Sequence, residues 1–360
     1  MRGGTSRGPF FRSDWLPDEP DERDKVLLQA MGSPHELQID GLGGGHSLTS
    51  KVAIVSRSAR GDCDVDYLFA QVSVNEKRVD TRPNCGNMLA GVGPFAIEQG
   101  LVAATEGTTL VRVFNVNTNS RIDVQVQTPH GHVAYDGDAR IDGVDGTAAP
   151  VRLNFLDAWG SVTGSVFPTG KTQDTIQGVD VTCIDAAQVM VLMRAADFGL
   201  QGTESADELD SNTALRTALE SIRREAGYRM GLGDVSSSVL PKPVLIAPGV
   251  SPGSIQSRYF TPARCHRSHA ATGAIGVAAA TVLAGTVAFD SRLAADASHV
   301  FRLEVLHPSG AIQVEIEKSA GTGDGSKGIK RASLIRTARK IFDGTLHLSC
   351  LLYTSPSPRD

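Results

Sequence analysis

Two stretches of this 360-residue chain are apolar on almost every face of a helix. They are NMLAGVGPFAIEQG (87–100) and AATGAIGVAAATVLAG (270–285). A helix without a polar face must be surrounded on all sides by other apolar material. Neither stretch reaches the roughly 20 apolar residues that span a bilayer, so a membrane is excluded as that material. The chain therefore has to wrap protein around each of the two helices.

The wrapping is predicted to be β-structure. Short β-branched runs, several of them alternating between apolar and polar residues, are typical of half-buried strands. These runs are residues 51–56, 65–74, 109–118, 121–129, 150–156, 179–185, 189–193, 242–247, 312–317 and 332–339. Outer helices are predicted at 21–31 and 214–227, and polar connectors at 170–178 and 201–212. The pattern predicts an α+β fold in which two sheets each surround one buried helix.

A change in composition marks the boundary between the two halves. Residues near 155–170 are rich in Gly, Thr and Ser and separate the first set of strands from the second. We predict a first domain over residues 1–160 and a second over 161–348. Residues 349–360, SCLLYTSPSPRD, continue no pattern and are interpreted as an artefactual tail.

Charge and cysteine content exclude several classes of protein. The net charge is −5 and no basic run is interleaved with aromatic residues, which argues against nucleic-acid binding. The five cysteines are widely spaced and form no CxxC pair, so neither a zinc site nor a disulfide framework is predicted. No apolar leader opens the chain, and the cytoplasm is the expected location.

One cysteine lies where the first apolar helix begins. In PNCGN (83–87), Cys85 precedes the helix and Gly86 allows a ligand to approach the backbone. A thiolate at a helix N-terminus is stabilised by the free N–H groups, and the same groups can bind a carboxylate. A buried small hydrophobic residue is the alternative interpretation of this cysteine.

Other polar segments supply groups for the same chemistry. The loop RGGTSRG (2–8) offers backbone N–H groups, hydroxyls and a guanidinium that suit a carboxylate or phosphate, although a plain glycine-rich turn would look the same. Lys51 starts a strong strand, where it is either solvated or, in a cleft, a usable base. RCHRSHAATGAIG (264–276) repeats the helix-mouth arrangement, and its histidines are either structural or ligand-binding.

Seven segments together resemble the diaminopimelate epimerase-like superfamily, in its PrpF-like branch of methylaconitate and methylitaconate isomerases. They are MRGGTSRGPFF, LTSKVAIVS, VDTRPNCGNMLAGVGPFAIEQGLV, VQTPHG, IDGVDGTAAPV, GYRMGLGDV and RTARKIFDG. The resemblance implies two similar domains, each a mixed sheet curled round a buried helix, with the active site in the cleft between them. The last strand is free to return to the first domain, and a homodimer is left open.

The resemblance also implies roles for individual residues. Lys51 and Cys85 are expected to be the catalytic pair, with no cofactor and no metal. A small polycarboxylate substrate is expected to contact Thr5, Ser6, Arg7, Ser50, Asn84, Gly86, Asn87, Arg258, His269, Thr272 and Gly273.

This chain departs from the superfamily's pattern at two places. Racemases of the superfamily carry a second cysteine at the second helix mouth, where this chain has Ala270-Ala271-Thr272-Gly273 and its Cys265 lies further upstream. Racemisation by two thiols is therefore disfavoured. Family members also usually carry a few strand residues before the Arg-Gly-Gly motif, on which this chain begins.

Three functions follow as hypotheses. The first is an isomerase, a tautomerase that moves an allylic proton of 4-oxalomesaconate in gallate and protocatechuate degradation. The second keeps the fold and the residues but acts as a 2-methylaconitate cis–trans isomerase or a methylitaconate delta-isomerase. The third is a protein of another class, a non-catalytic accessory protein that binds polycarboxylates.

Overall fold

A computed structural model describes residues 1–236, 238–261, 263–293, 299–319 and 328–349 of the chain. Residues 350–360 lie outside the described residues, so the interpretation of the tail stays a prediction. Within the described ranges no helix is long and apolar enough to cross a membrane.

The described chain alternates between many strands and a few helices. The strands are β1 (Arg2–Gly3), β2 (Ser6–Arg7), β3 (Phe10–Arg12), β4 (Lys51–Arg57), β5 (Val65–Val72), β6 (Val79–Asp80), β7 (Gly107–Asn115), β8 (Ser120–Thr128), β9 (Pro150–Phe155), β10 (Asp174–Ile176), β11 (Val179–Asp185), β12 (Val189–Arg194), β13 (Lys242–Pro248), β14 (Ser254–Tyr259), β15 (Val300–His307), β16 (Gly310–Lys318) and β17 (Ile329–Arg339). The α-helices are α1 (Pro20–Met31), α2 (Gly86–Leu89), α3 (Val92–Glu98), α4 (Ala206–Ser211), α5 (Thr213–Arg229) and α6 (Ala271–Val282).

The two halves repeat the same order of strand pairings. In the first half β3–β4 is parallel, β4–β5 antiparallel, β5–β7 parallel, and β7–β8 and β8–β9 antiparallel. In the second half β12–β13, β13–β14, β14–β15, β15–β16 and β16–β17 follow with the same directions. The sheets are therefore mixed, and the predicted duplication exists at the level of topology.

The last strand joins the two halves. One edge of β17 pairs with β16 and, further along, with β1, while its other edge pairs with β9. Gly4 N–H also donates to the carbonyl of Thr337, at 2.9 Å between nitrogen and oxygen. The seam between the halves therefore runs beside the loop that connects β1 to β2.

Each sheet packs its inner face against one of the two apolar helices. All residues of α6 are buried. Gly276 is required there, because a Cβ atom would lie 2.2 Å from Met190 Cε and 2.7 Å from the carbonyl oxygen of Ala186. Residues 87–100, predicted as one helix, form α2 and α3 with a break at Gly91, where a Cβ would lie 2.5 Å from Phe10 Cζ. The expectation of two buried central helices is confirmed.

Some elements differ from the sequence-based predictions. The connector predicted at 201–212 contains α4, which begins with a capping box between Ser205 and Glu208. The connector predicted at 170–178 contains β10. Strand β14 was not predicted, because Ser254, Ser257 and Arg258 are buried polar residues that interrupt apolar alternation. Strand β15 was missed as well, although its buried and accessible positions do alternate.

Candidate active site

The N-terminal ends of α2 and α6 meet where the two halves join. A Cβ atom on Gly86 would lie 3.2 Å from Ala271 Cβ and 3.4 Å from Thr272 Cγ2, so the two helix ends are in contact. The first backbone hydrogen bond of α2 runs from Leu89 N–H to the Cys85 carbonyl. The first of α6 runs from Ala274 N–H to the Ala270 carbonyl.

The first three N–H groups of each helix are consequently free. These groups belong to residues 86–88 and 271–273, and none of them hydrogen-bonds within the part of the chain that the structure describes. Free N–H groups at a helix start favour negative charge. Two such sets, brought together at one point, form a site suited to a carboxylate or an enolate oxygen.

Cys85 lies at the N-cap of α2 and is 8% exposed. Its carbonyl accepts a hydrogen bond from the Tyr67 hydroxyl at 3.2 Å. Tyr67 is fully buried, and burial raises the pKa of its phenol well above the ordinary value. The phenol therefore stays neutral and holds the backbone of Cys85 in place.

The other described cysteines lie in unreactive surroundings. Burial raises the pKa of the Cys63 thiol and raises the pKa of Cys183 and of Cys265 to about 12. Cys265 packs in the cluster on the outer face of the second sheet, and its N–H donates to Asp210. Its side chain belongs to that cluster and not to the core around α6.

The loop RGGTSRG packs on the mouth of α2. Asn87 Nδ2 donates to Thr5 Oγ1 at 3.0 Å. Gly4 has φ +53° and a Cβ there would lie 2.3 Å from Asn87 Oδ1. Ser6 Oγ and Asn87 Oδ1 are buried and have no hydrogen-bond partner among the described residues. Buried polar atoms without partners are rare, so these atoms indicate a place for a polar ligand.

Arg7 and Lys51 flank this loop. The guanidinium of Arg7 lies beside Gly44, where a Cβ would be 2.7 Å from Nη2, and makes no ion pair or hydrogen bond in the described ranges. Lys51 is the first residue of β4 and points to the inner face with Ala53. Its Nζ donates to Gln71 Oε1 at 2.7 Å and lies 5.0 Å from the centre of the Phe69 ring.

The structure engages the side chains of three of the expected substrate-binding residues in hydrogen bonds within the protein. Ser50 points to the outer face, where its hydroxyl donates to the Val72 carbonyl and accepts from Gln38. Arg258 donates to the carbonyls of Glu204 and Ser257. His269 uses both ring nitrogens inside the protein, one toward Ser257 Oγ and one toward the Ala270 carbonyl.

Two further predicted residues support the site through packing. Asn84 accepts a hydrogen bond from Asn115 Nδ2 at 2.8 Å, which fixes the loop before Cys85. A Cβ on Gly273 would lie 2.6 Å from Tyr259 Cε2, so this glycine lets α6 approach the sheet. Gly273 can offer a ligand only its N–H group.

Sequence reasoning missed three basic side chains of the second half, Arg336, His307 and Lys242, which lie near the already considered His266. Arg336 is 5% exposed, has no acidic partner within the described chain, and leaves Nε without a hydrogen bond. His307 is 6% exposed and leaves Nε2 unpartnered. Burial lowers the pKa of Arg336 to about 10 and of His307 to about 4. Lys242 and His266 lie in the same region, and burial lowers the pKa of Lys242 to about 8 and of His266 to about 4.

A weak signal for Arg336 existed in the sequence. The predicted strand 332–339 alternates, and position 336 falls on the face of Leu334 and Ala338, which belong to the core. A charged residue on the apolar face of a strand is unusual and marks a candidate ligand contact.

The arrangement suits a small molecule with several negative charges. Hydroxyls, free N–H groups and unpaired cations converge, and Lys51 and Cys85 add two groups that can carry protons. The described residues contain no group of three or more His, Cys, Asp or Glu side chains that could hold a metal ion. The chemistry supported by the side chains is binding of a polyanion together with proton transfer.

The sequence matches the family described as "PrpF protein" over residues 1–349. The chain belongs to the PrpF family. It is 53% identical to YbhH of Escherichia coli (strain K12), whose name assigns an isomerase without a substrate, over 97% of each chain. It is 49% identical to the 4-oxalomesaconate tautomerase of Pseudomonas putida, over 96% of this chain and 94% of that protein.

A solved structure agrees with this assignment. The crystal structure of methylitaconate-delta-isomerase superimposes with a TM-score of 0.83 at 33% identity, covering 99% of this chain and 97% of that one. This member of the PrpF family is therefore an isomerase, and its fold is the α+β arrangement expected of a diaminopimelate epimerase-like protein.

Proposed function

We propose that this isomerase is a cofactor-independent tautomerase of 4-oxalomesaconate. The observation that carries the proposal is the convergence of unpaired hydrogen-bond donors and cations around two proton carriers, Lys51 and Cys85. The choice of substrate is supported by the identity to the Pseudomonas putida tautomerase, which exceeds the identity to the methylitaconate-delta-isomerase structure.

The donors are sufficient in number for a tricarboxylate. Thr5, Ser6 and Arg7 can bind one carboxylate beside α2. The free N–H groups of residues 86–88 and 271–273 can bind a second carboxylate or the carbonyl oxygen. Arg336 can bind a third carboxylate at the seam, which would compensate for the burial of its guanidinium.

The proposed reaction is a proton transfer through a conjugated anion. A basic group of the first half, Lys51 or Cys85, removes a proton from the carbon next to the ketone. The electron pair of the C–H bond becomes a C=C bond, and the π pair of the carbonyl moves onto its oxygen. Free N–H groups near that oxygen stabilise the negative charge. A second group then delivers a proton to that oxygen, which gives the enol tautomer.

A parallel assay tests the substrate. Purified protein is mixed with 4-oxalomesaconate, 2-methylaconitate and methylitaconate, and turnover is followed by absorbance. We expect kcat/KM for 4-oxalomesaconate to exceed the other two by at least ~100-fold, because methylitaconate lacks one of the three carboxylates and 2-methylaconitate lacks the ketone oxygen that takes up the negative charge. A preference for either methylated substrate would contradict the proposal.

The second candidate function is isomerisation of methylitaconate or 2-methylaconitate. It is favoured by the full-length superposition on methylitaconate-delta-isomerase, and it would use the same residues. A non-catalytic polycarboxylate-binding protein is tested in the same assay, since it would bind 4-oxalomesaconate and turn over none of the three compounds.

A further inference from the structure

Lys242 occupies the first position of β13 and faces the inner side of the second sheet. It pairs with Met190 on β12, and Val244 and Ile246 follow on the same face. Met190, Val244 and Ile246 all belong to the core that surrounds α6. The lysine side chain is therefore directed along the core face at the end of the strand, and it is half-buried.

The topology makes Lys242 the counterpart of Lys51. Both β4 and β13 have seven residues, and buried and accessible positions follow in the same order along the two strands. Each strand is parallel to the strand before it in the sheet and antiparallel to the one after it. Each begins with a lysine on the inner face. The two lysines thus approach the seam between the halves from related positions.

The two lysines differ in their partners. Lys51 is opposite Gln71, whose amide oxygen accepts a hydrogen bond from Lys51 Nζ. Extending the register of β13 with β14 by two residues places Thr261 at the matching position, and the Thr261 hydroxyl donates to the Arg264 carbonyl instead. Lys242 Nζ consequently has no hydrogen-bond or ion-pair partner in the described part of the chain.

The charged groups that face Lys242 are cationic or neutral. They are Arg223 from α5, Lys51 from β4 and the ring of His266 from the segment before α6. Burial is the main cause that lowers the pKa of Lys242 to about 8, and the charges of Arg223 and Lys51 add to it. An ammonium group in this setting can give up a proton near neutral pH and gains from any anion that enters.

We infer that Lys242 is a further catalytic residue, which donates a proton to the substrate's carbonyl oxygen from the second half of the chain. This inference rests on the proposed function. While a group of the first half takes the proton from carbon, the Lys242 ammonium protonates the enolate oxygen and becomes a neutral amine. The net result is transfer of one proton from carbon to oxygen. The two enzyme groups return to their starting states by exchanging a proton with solvent.

The pH dependence follows from this role. The donor must be protonated, so kcat/KM of the wild type is expected to fall as the pH rises through about 8. The test compares three variants over pH 6 to 10: Lys242→Met, Lys242→Arg and Lys318→Met as a control. Lys318 is a half-buried lysine of the same half, placed 5.6 Å from the centre of the Phe301 ring.

Lys242→Met is expected to lower kcat by at least ~100-fold and to remove the alkaline limb, while KM changes less than kcat. Lys242→Arg keeps the positive charge, but a guanidinium does not release a proton near neutral pH. The kcat of this variant should therefore be as low as that of Lys242→Met. Lys318→Met should match the wild type. A rise in KM alone, or full rescue by arginine, would overturn the inference and leave Lys242 as a carboxylate-binding residue.

A second measurement does not depend on turnover. Lysines are reductively methylated with ¹³C, and the signal absent from Lys242→Met is titrated with and without trans-aconitate. We expect it to titrate near pH 8 and to shift upward when this tricarboxylate binds. An ordinary lysine titration, unaffected by trans-aconitate, would refute the inference. Wild-type protein that binds trans-aconitate in this way but does not turn over 4-oxalomesaconate would refute the proposed function alone.

Discussion

Replacing Arg336 by methionine should stabilise the free protein and weaken substrate binding. Arg336 is 5% exposed, and within the described ranges its side chain makes one hydrogen bond, from Nη1 to the carbonyl of the neighbouring Ile335 at 3.2 Å. Burial lowers its pKa from 12.5 to about 10. At about 1.4 kcal/mol per pKa unit, this drop corresponds to about 3 kcal/mol of unfavourable free energy for the charged side chain in the folded state.

Methionine removes that charge while retaining most of the apolar contact. We expect the free energy of unfolding without ligand to rise by about 1–3 kcal/mol, since some packing is lost. The substrate carboxylate loses a charge-assisted hydrogen bond of about 1.5–3 kcal/mol, so KM should rise about 10- to 100-fold. Urea unfolding with and without trans-aconitate measures the first effect, and steady-state kinetics measures the second.

Arg223 provides the matched control. It is also buried, at 1% exposed, but it donates to Glu220 and to the carbonyls of Val235, Ser238 and Leu240. Arg223→Met leaves those acceptors unpaired, so it should lower the free energy of unfolding by about 1–3 kcal/mol. If Arg336→Met destabilises the protein as Arg223→Met does and leaves KM unchanged, Arg336 is a structural residue and binds no carboxylate.

Two further predictions concern the first half. Iodoacetamide at pH 8 should label Cys85 first and be blocked by trans-aconitate, because Cys183 and Cys265, with pKa values of about 12, hold roughly one thiolate in ten thousand at that pH. Equal labelling of the cysteines, measured by mass spectrometry of peptides, would argue against a reactive Cys85. Lys51→Met should lower kcat by at least ~100-fold, whereas Arg7→Met should raise KM more than it lowers kcat. Steady-state kinetics of both variants measures these changes. The reverse pattern would make Arg7 the catalytic residue and Lys51 the substrate-binding one.

The sequence alone determined the parts of this protein that depend on local composition. A helix without a polar face must be buried on all sides, whatever packs against it. The α+β fold with two buried helices therefore followed from residues 87–100 and 270–285. Cys85 could be placed at a helix mouth because the residues around it are those of a helix start. These features are set within a few residues of chain, where sequence patterns are informative.

Tertiary structure alone decided which side chains face the cleft. Ser50 and Lys51 are neighbours, but successive strand residues point to opposite faces, and only the pairing with β5 shows which face is inner. Arg258 and Arg336 both lie in strands and are both buried, yet Nε of Arg258 donates to the carbonyl of the distant Glu204, whereas Nε of Arg336 has no partner among the described residues. The equivalence of Lys242 to Lys51 rests on strand order in two sheets. Strand pairing and register bring together residues that are far apart in the chain. A local sequence pattern therefore cannot predict which side chains meet.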